Sequence, residues 1–166
     1  MIEGRVHRFG DNIDTDAIVP VHAANLVDPT TLGRHCMANI DPHFTDRVRP
    51  GDILVAGRNF GCGSSREIAP WAIKGAGIAC VIAATFARIF FRNAINIALP
   101  VMVCPEAAAA TKDGDMLAVD IVAGTIHNAT RNAAFNAAVY PEFIRELIAC
   151  GGLVAYTRTR LESAEK

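Results

Sequence analysis

The sequence predicts a single α/β domain, and three observations carry that expectation. Two short apolar runs, Ile53-Leu54-Val55-Ala56 and Ile78-Ala79-Cys80-Val81-Ile82-Ala83-Ala84, are near-continuous rather than alternating, as strands of a parallel pair covered on both faces are. Between them lies Ile68-Ala69-Pro70-Trp71-Ala72-Ile73-Lys74, a short helical stretch ended by Gly75. The region therefore reads as strand-helix-strand with a right-handed crossover. Further on, residues 116–122 and 124–128 look like a strand pair joined near Ala123-Gly124. At 166 residues, one domain over 1–166 can bury its own core.

From the N-terminus, Arg5-Val6-His7-Arg8-Phe9 alternates like a half-buried strand. Gly10-Asp11-Asn12-Ile13-Asp14-Thr15-Asp16 is a polar turn. It lacks the glycine and distal glutamate of a calcium loop, which leaves Asp14, Thr15 and Asp16 to fix backbone amides and orient a nearby cation. Residues 21–28 form a loop before a helix starting near Pro29, a favoured first helical residue. Residues 41–50 are a polar connection, and His35 and His43 read as surface residues rather than ligands. Thr85 is placed as the cap of a helix over 85–94, with Phe86, Ile89, Phe90 and Ala94 at core-facing spacing. Arg88 and Arg92 share one face; it is either solvated or turned to a partner or the site. A strand over 100–104 and a helix or turn over 107–112 follow. Residues 141–150 carry helical periodicity in Phe143, Ile144 and Leu147 and stop at Gly151-Gly152. Residues 153–157 read as a last strand and 158–166 as a polar, frayed tail.

The stretch Gly57-Arg58-Asn59-Phe60-Gly61-Cys62-Gly63-Ser64-Ser65-Arg66-Glu67 joins the first apolar strand to the helix. Its glycines, Gly61 and Gly63 among them, let the backbone bend tightly and approach a ligand. A helix N-terminus beside two hydroxyls and a guanidinium favours an anion, a carboxylate or a phosphate. The plainer reading is a capped turn, with Ser64 or Ser65 as N-cap and Glu67 completing a capping box. A P-loop would need Lys-Ser/Thr after the last glycine, and a dinucleotide fingerprint a third glycine or alanine where Arg66 stands.

Sixteen Lys and Arg against seventeen Asp and Glu nearly cancel, so no basic face argues for nucleic acid. No apolar run reaches the ~20 residues a bilayer crossing needs. Met1-Ile2-Glu3-Gly4-Arg5 lacks the basic-then-apolar order of a signal peptide, and a cytoplasmic location is expected. The five cysteines contain no C-x-x-C pair, so neither a zinc site nor a disulfide framework is expected. Cys80 and Cys104 read as core residues, and Cys62 as exposed and reactive.

The packed run Asn59-Phe60-Gly61-Cys62-Gly63-Ser64-Ser65-Arg66-Glu67 resembles the swivel domain of the aconitase superfamily. Within it the chain is similar to the separate small subunits of 3-isopropylmalate dehydratase and its homoaconitase-like relatives. Asn12-Ile13-Asp14-Thr15-Asp16, Gly51-Asp52-Ile53 and Phe86-Ala87-Arg88-Ile89-Phe90-Phe91-Arg92-Asn93-Ala94 extend the resemblance over nearly the whole chain. It implies a mixed, barrel-like β core flanked by helices. It also implies a hydro-lyase that moves a hydroxyl between adjacent carbons of a hydroxy dicarboxylic acid by dehydration and rehydration, as in leucine biosynthesis.

By that resemblance Ser64 is the catalytic base, as an alkoxide, Ser65 and Arg66 bind substrate carboxylate, and Asp16 and Glu67 support the turn. The 21–28 loop reaches over the substrate through Ala23, Ala24 and Asn25. Relatives commonly carry Tyr-Leu at the positions of Ala23-Ala24; the two alanines here, with no arginine for a second distal carboxylate, argue against a homoaconitase-type substrate and for a small apolar substituent. Relatives usually carry histidine where this chain has Ile68. The family's [4Fe-4S] cluster is expected on a separate large subunit, with none bound here; whether the isolated chain forms a homo-oligomer is left open. The rival readings are the small subunit of a related dehydratase acting on 2,3-dimethylmalate, citramalate or homoaconitate, and a non-catalytic anion-binding module.

Overall fold

A computed structural model describes residues 1–164. Its strands are β1 (Ile2–Arg8), β2 (Ile53–Ala56), β3 (Cys80–Ala83), β4 (Val101–Val103), β5 (Met116–Asp120), β6 (Thr125–Asn128) and β7 (Ala133–Asn136). They form one sheet in the order β4-β3-β2-β1-β5-β6-β7, curled into a half-barrel. The first four are parallel, in register Val6↔Ile53, Ile53↔Cys80 and Val81↔Val101. The other three continue antiparallel from β1. The helices are α1 (Thr15–Ile18), α2 (Pro29–Gly33), α3 (Phe44–Arg47), α4 (Ile68–Gly75), α5 (Arg88–Asn96), α6 (Pro105–Ala110), α7 (Glu142–Ala149) and α8 (Leu153–Ala164).

The parallel strands are continuously apolar because the sheet divides two cores. On one face, Leu54, Ala56, Val81 and Ala83 pack with Ile73 of α4, Phe90 of α5 and Leu147 of α7. On the other, Ile53, Val55, Cys80 and Ile82 pack with Val6, Leu117 and the α6 residues Ala107 and Ala108. Burial pushes the Cys80 thiol up to about 12, so it stays a protonated, inert core side chain. At the entry to β2, Asp52 accepts from the Arg49 amide (2.8 Å) and lies 2.7 Å from His7 Nε2, tying the turn before β2 to β1.

The structure revises four expectations. Residues 153–157 are helical, and the supposed frayed tail continues the same helix through Ala164; positions 165 and 166 lie outside the described residues. Leu-Val-Ala-Tyr-Thr has strand-like composition, but helical spacing aligns Tyr156 with Arg160, whose guanidinium sits 5.2 Å from its ring. The Tyr156 ring also meets Phe143 edge-on at 5.5 Å. Thr85 caps nothing: α5 begins at Arg88 with Ala87 at the N-cap position, and the Thr85 hydroxyl accepts from the Asn59 amide (2.8 Å). Ile89, expected in the core, is 51% exposed, because Phe90, Asn93, Ala94 and Ile95 form the buried face of α5. Beyond those four, β7 is an element for which the sequence carried no expectation; its Ala-Ala-Phe-Asn is extended by pairing with β6.

Asp115, at the start of β5, is buried and accepts from Arg131 Nε (2.6 Å), the Lys112 amide (2.9 Å) and Asn128 Nδ2 (2.8 Å). Burial alone would raise its pKa, but those donors outweigh it and hold the carboxyl at about 2, against an ordinary 3.8. A carboxyl depressed in the folded state stabilises the fold above its unfolded pKa, and that contribution disappears as pH falls toward 2. Resistance to urea unfolding is expected to fall from pH 4 to pH 2. Asp115→Asn is expected to cost roughly 1–3 kcal/mol at neutral pH and to flatten part of that acid slope.

Candidate active site

The parallel pairing of β1 with β2 does not stop where the strands do. The Phe9 amide donates to the Val55 carbonyl (2.8 Å), Gly57 to Gly10 (3.0 Å), Asn12 to Arg58 (2.8 Å), Gly61 to Ile13 (2.7 Å) and Thr15 to Cys62 (2.9 Å). The two loops leaving the carboxyl ends of these strands are thus zipped together. On its other side the glycine-rich turn is held by the segment leaving β3: the Phe60 amide donates to Thr85 (3.0 Å) and Ala87 donates to Phe60 (2.9 Å). Ligand sites in open α/β sheets lie at this end of the strands.

Two glycines make the path possible. Gly61 has φ +76°, and a β-carbon there would lie 2.1 Å from Cγ of Phe90. Gly63 has φ +93°, beside the Thr15 hydroxyl. Only glycine takes such values without strain.

This scaffold presents Ser64 and Ser65 exposed and Arg66 half-buried. Ser64 Oγ lies 2.8 Å from the Thr15 hydroxyl. Arg66 Nη1 donates to Asp16 Oδ1 at 2.5 Å, their side chains 33% and 54% exposed. Asp14 opens α1 by accepting from the Ala17 amide (2.7 Å), which fixes Thr15 and Asp16 as the first residues of that helix. Asp16 therefore lies against Arg66.

Other expected positions fall differently. The plainer reading of Ser64 or Ser65 as helix cap is overturned, because α4 starts at Ile68 with Glu67 at the N-cap position and no side-chain capping bond. The serines stand upstream of the first helical turn, and hydrogen bonds rather than the helix end hold Ser64. Glu67 is exposed and, among the described residues, makes no side-chain hydrogen bond. In the 21–28 loop, Asn25 is exposed and Ala24 half-buried. Ala23 is only 1% exposed and belongs to the core; it backs the loop instead of lining a pocket, because the short 3-10 turn Val21–Ala23 turns its methyl inward. Thr15 is the residue whose part sequence reasoning missed. It was assigned to backbone amides, and no local spacing links it to Ser64; the signal was the pairing of the two loops.

Residues 36–106 match the Aconitase C-terminal domain. The chain is 54% identical to the 3-isopropylmalate dehydratase small subunit of Moorella thermoacetica, over 99% of each chain. The chain belongs to the family of 3-isopropylmalate dehydratase small subunits. It is also 53% identical to the 2,3-dimethylmalate dehydratase small subunit of Eubacterium barkeri, over 93% of this chain and 94% of that one. The crystal structure of 3-isopropylmalate dehydratase from Methanocaldococcus jannaschii superposes with a TM-score of 0.93 at 45% identity, covering 99% of both chains.

For a small subunit of this family the metal question is direct. Among the described residues no three His, Cys, Asp or Glu side chains gather to hold a metal ion. Cys36 and Cys80 are buried on opposite faces of the sheet, and Cys150 is exposed at the end of α7. This chain's donors do not fit an iron-sulfur cluster. No helix is long and apolar enough to cross a membrane among the described residues. Arg88 and Arg92, whose face the sequence left undecided, are exposed on α5 and border an apolar groove of about 620 Å³ lined by Phe86, Phe91, Val103 and Phe143.

Gly61→Ala combines a positive φ with a collision against Phe90, and an expected cost of roughly 2–5 kcal/mol follows. Gly63→Ala meets only an ordinary contact, 3.4 Å from the Thr15 hydroxyl, and is expected to cost about 1–2 kcal/mol. Denaturant melts of the two variants check the order.

Proposed function

We propose that this chain is the small subunit of a hydro-lyase that interconverts 2-isopropylmalate and 3-isopropylmalate by dehydration and rehydration. The observation that carries the reading is the exposed Ser64-Ser65-Arg66 turn, pre-set by Thr15 and Asp16, in a chain 54% identical to a 3-isopropylmalate dehydratase small subunit. The reaction removes a carbon-bound proton next to a carboxylate, expels hydroxide from the neighbouring carbon, and adds water back in the opposite sense.

Ser64 Oγ takes the proton in this reading, and its exposure on the turn gives it access to a bound substrate. Arg66, planar and permanently charged, clamps a substrate carboxylate with two parallel hydrogen bonds. Ser65 donates a further one. A serine hydroxyl holds its proton too tightly to act as a base in open water. A cation about 4 Å away contributes only about 1 kcal/mol in water but about 4 kcal/mol at an effective dielectric of 20. A partner must therefore cover the turn and exclude water. Asp16 offsets part of the Arg66 charge, which leaves more of the stabilisation of the Ser64 anion to hydrogen bonds.

The departing hydroxide needs a Lewis acid. The family resemblance implies a [4Fe-4S] cluster, which would polarise the hydroxyl group as it leaves. With no fitting ligand set here, the cluster belongs to the large subunit in this reading, and this chain supplies proton transfer and carboxylate binding. A second substrate, 2,3-dimethylmalate, is favoured by the 53% identity to the Eubacterium barkeri small subunit. Both are malates that differ in their alkyl substituents, and the small Ala24 beside Asn25 suits either.

With a cognate large subunit, the wild-type chain is expected to turn over 2-isopropylmalate, followed by ultraviolet absorbance of the unsaturated intermediate. Ser64→Ala is expected to lower kcat by about 10²–10⁴-fold. Arg66→Lys is expected to raise KM by about tenfold or more, through the lost bidentate geometry. Full activity in Ser64→Ala would remove the assigned base. Faster turnover of 2,3-dimethylmalate than of 2-isopropylmalate would transfer the reading to that substrate.

A further inference from the structure

We infer that Thr15 is the positioning residue for Ser64 and donates the hydrogen bond that stabilises its deprotonated oxygen. The inference rests on the reading of Ser64 as the base and extends it to a residue on a different loop. Thr15 is 3% exposed, and its Oγ1 lies 2.8 Å from Ser64 Oγ. Its position is fixed several times over. Its amide donates to the Cys62 carbonyl (2.9 Å), Asp14 caps the helix it begins, and its β-branched side chain has few rotamers. The glycine at 63 leaves only 3.4 Å between a would-be β-carbon and the Thr15 hydroxyl, so the turn passes closely over that oxygen.

The chemistry of the pair gives the bond its direction. While both hydroxyls are neutral, either one can donate to the other. With its proton released to solvent before the pocket closes, Ser64 Oγ is an alkoxide that can only accept, and Thr15 must donate. The bond then becomes charge-assisted, roughly twice as strong as between neutral partners. A hydrogen bond to the charged form favours that form, so the contact raises the share of enzyme whose base is ready and touches no substrate group. Burial contributes as well, since water competes little for a hydroxyl that is almost wholly enclosed. Among the described residues Arg66 makes no hydrogen bond to Ser64; its Nη1 donates to Asp16.

The test uses the assembled enzyme with its large subunit and four variants: Thr15→Val, Thr15→Ser, Ser64→Ala, and Ser64→Ala combined with Thr15→Val. Thr15→Val replaces the hydroxyl with a methyl of similar shape and leaves exposed Ser64 free to bond water, so the fold is expected to survive. Thr15→Ala gives a second probe should the larger side chain pack badly, and co-elution with the large subunit checks assembly. The expected result is a fall in kcat of about 10²-fold for Thr15→Val, with KM within about twofold. Thr15→Ser should restore most of the rate, and the double variant should be no slower than Ser64→Ala.

Wild-type kcat in Thr15→Val alongside an inactive Ser64→Ala overturns this inference and leaves the base assignment standing. A rise in KM without loss of kcat overturns it too, because Ser64 would then be holding substrate. Loss that Thr15→Ser does not rescue, or that appears again in full on the Ser64→Ala background, shows a structural role and also overturns it. An active Ser64→Ala removes the base assignment and this inference together.

Discussion

The functional end of the molecule depends on a run of backbone hydrogen bonds that outlasts the strands it begins in. From Phe9 to Val55 through Thr15 to Cys62, the chain segments leaving β1 and β2 stay paired. Buried amides and carbonyls need partners, and here each loop supplies the other's. The result is that a surface turn, ordinarily mobile, inherits the stiffness of a parallel sheet. Thr15 and Asp16 reach Ser64 and Arg66 because the register between the strands carries them there.

The rest of the fold supports that end. The parallel strands are sandwiched between two apolar layers, so their relative register is costly to slip. Phe90 of α5 packs on Gly61 from one side, while α1 closes from the other. Charge is used sparingly: Arg66 is balanced by Asp16, and the neutral Thr15–Ser64 pair lies beside them. That arrangement suits a site whose potential is decided only when a second surface excludes water.

Much of this was legible in the residues. Continuous apolar runs gave β2 and β3, and the glycine-rich turn between them announced itself by its composition and its departures from two phosphate loops. The acids of the 10–16 turn were readable as holding a nearby cation, but which cation was not; it is Arg66 that Asp16 meets. What local pattern could not supply was long-range partnership. Thr15 and Ser64 meet only through strand register, β7 exists only because β6 offers it an edge, and Ile89 lies outward because Phe90, Asn93, Ala94 and Ile95 take the buried face of α5. The strand-like Leu-Val-Ala-Tyr-Thr became helix because its ring and guanidinium contacts align at helical spacing. The inward turn of Ala23 likewise depended on a short 3-10 turn that no periodicity marked.

The zipped loops bear on how this subunit is handled in a cell. A polypeptide whose Ser64-Ser65-Arg66 turn is already ordered has little conformational freedom to surrender there on meeting another protein, so association approaches rigid-body docking. Such a component can be released and recruited again without refolding.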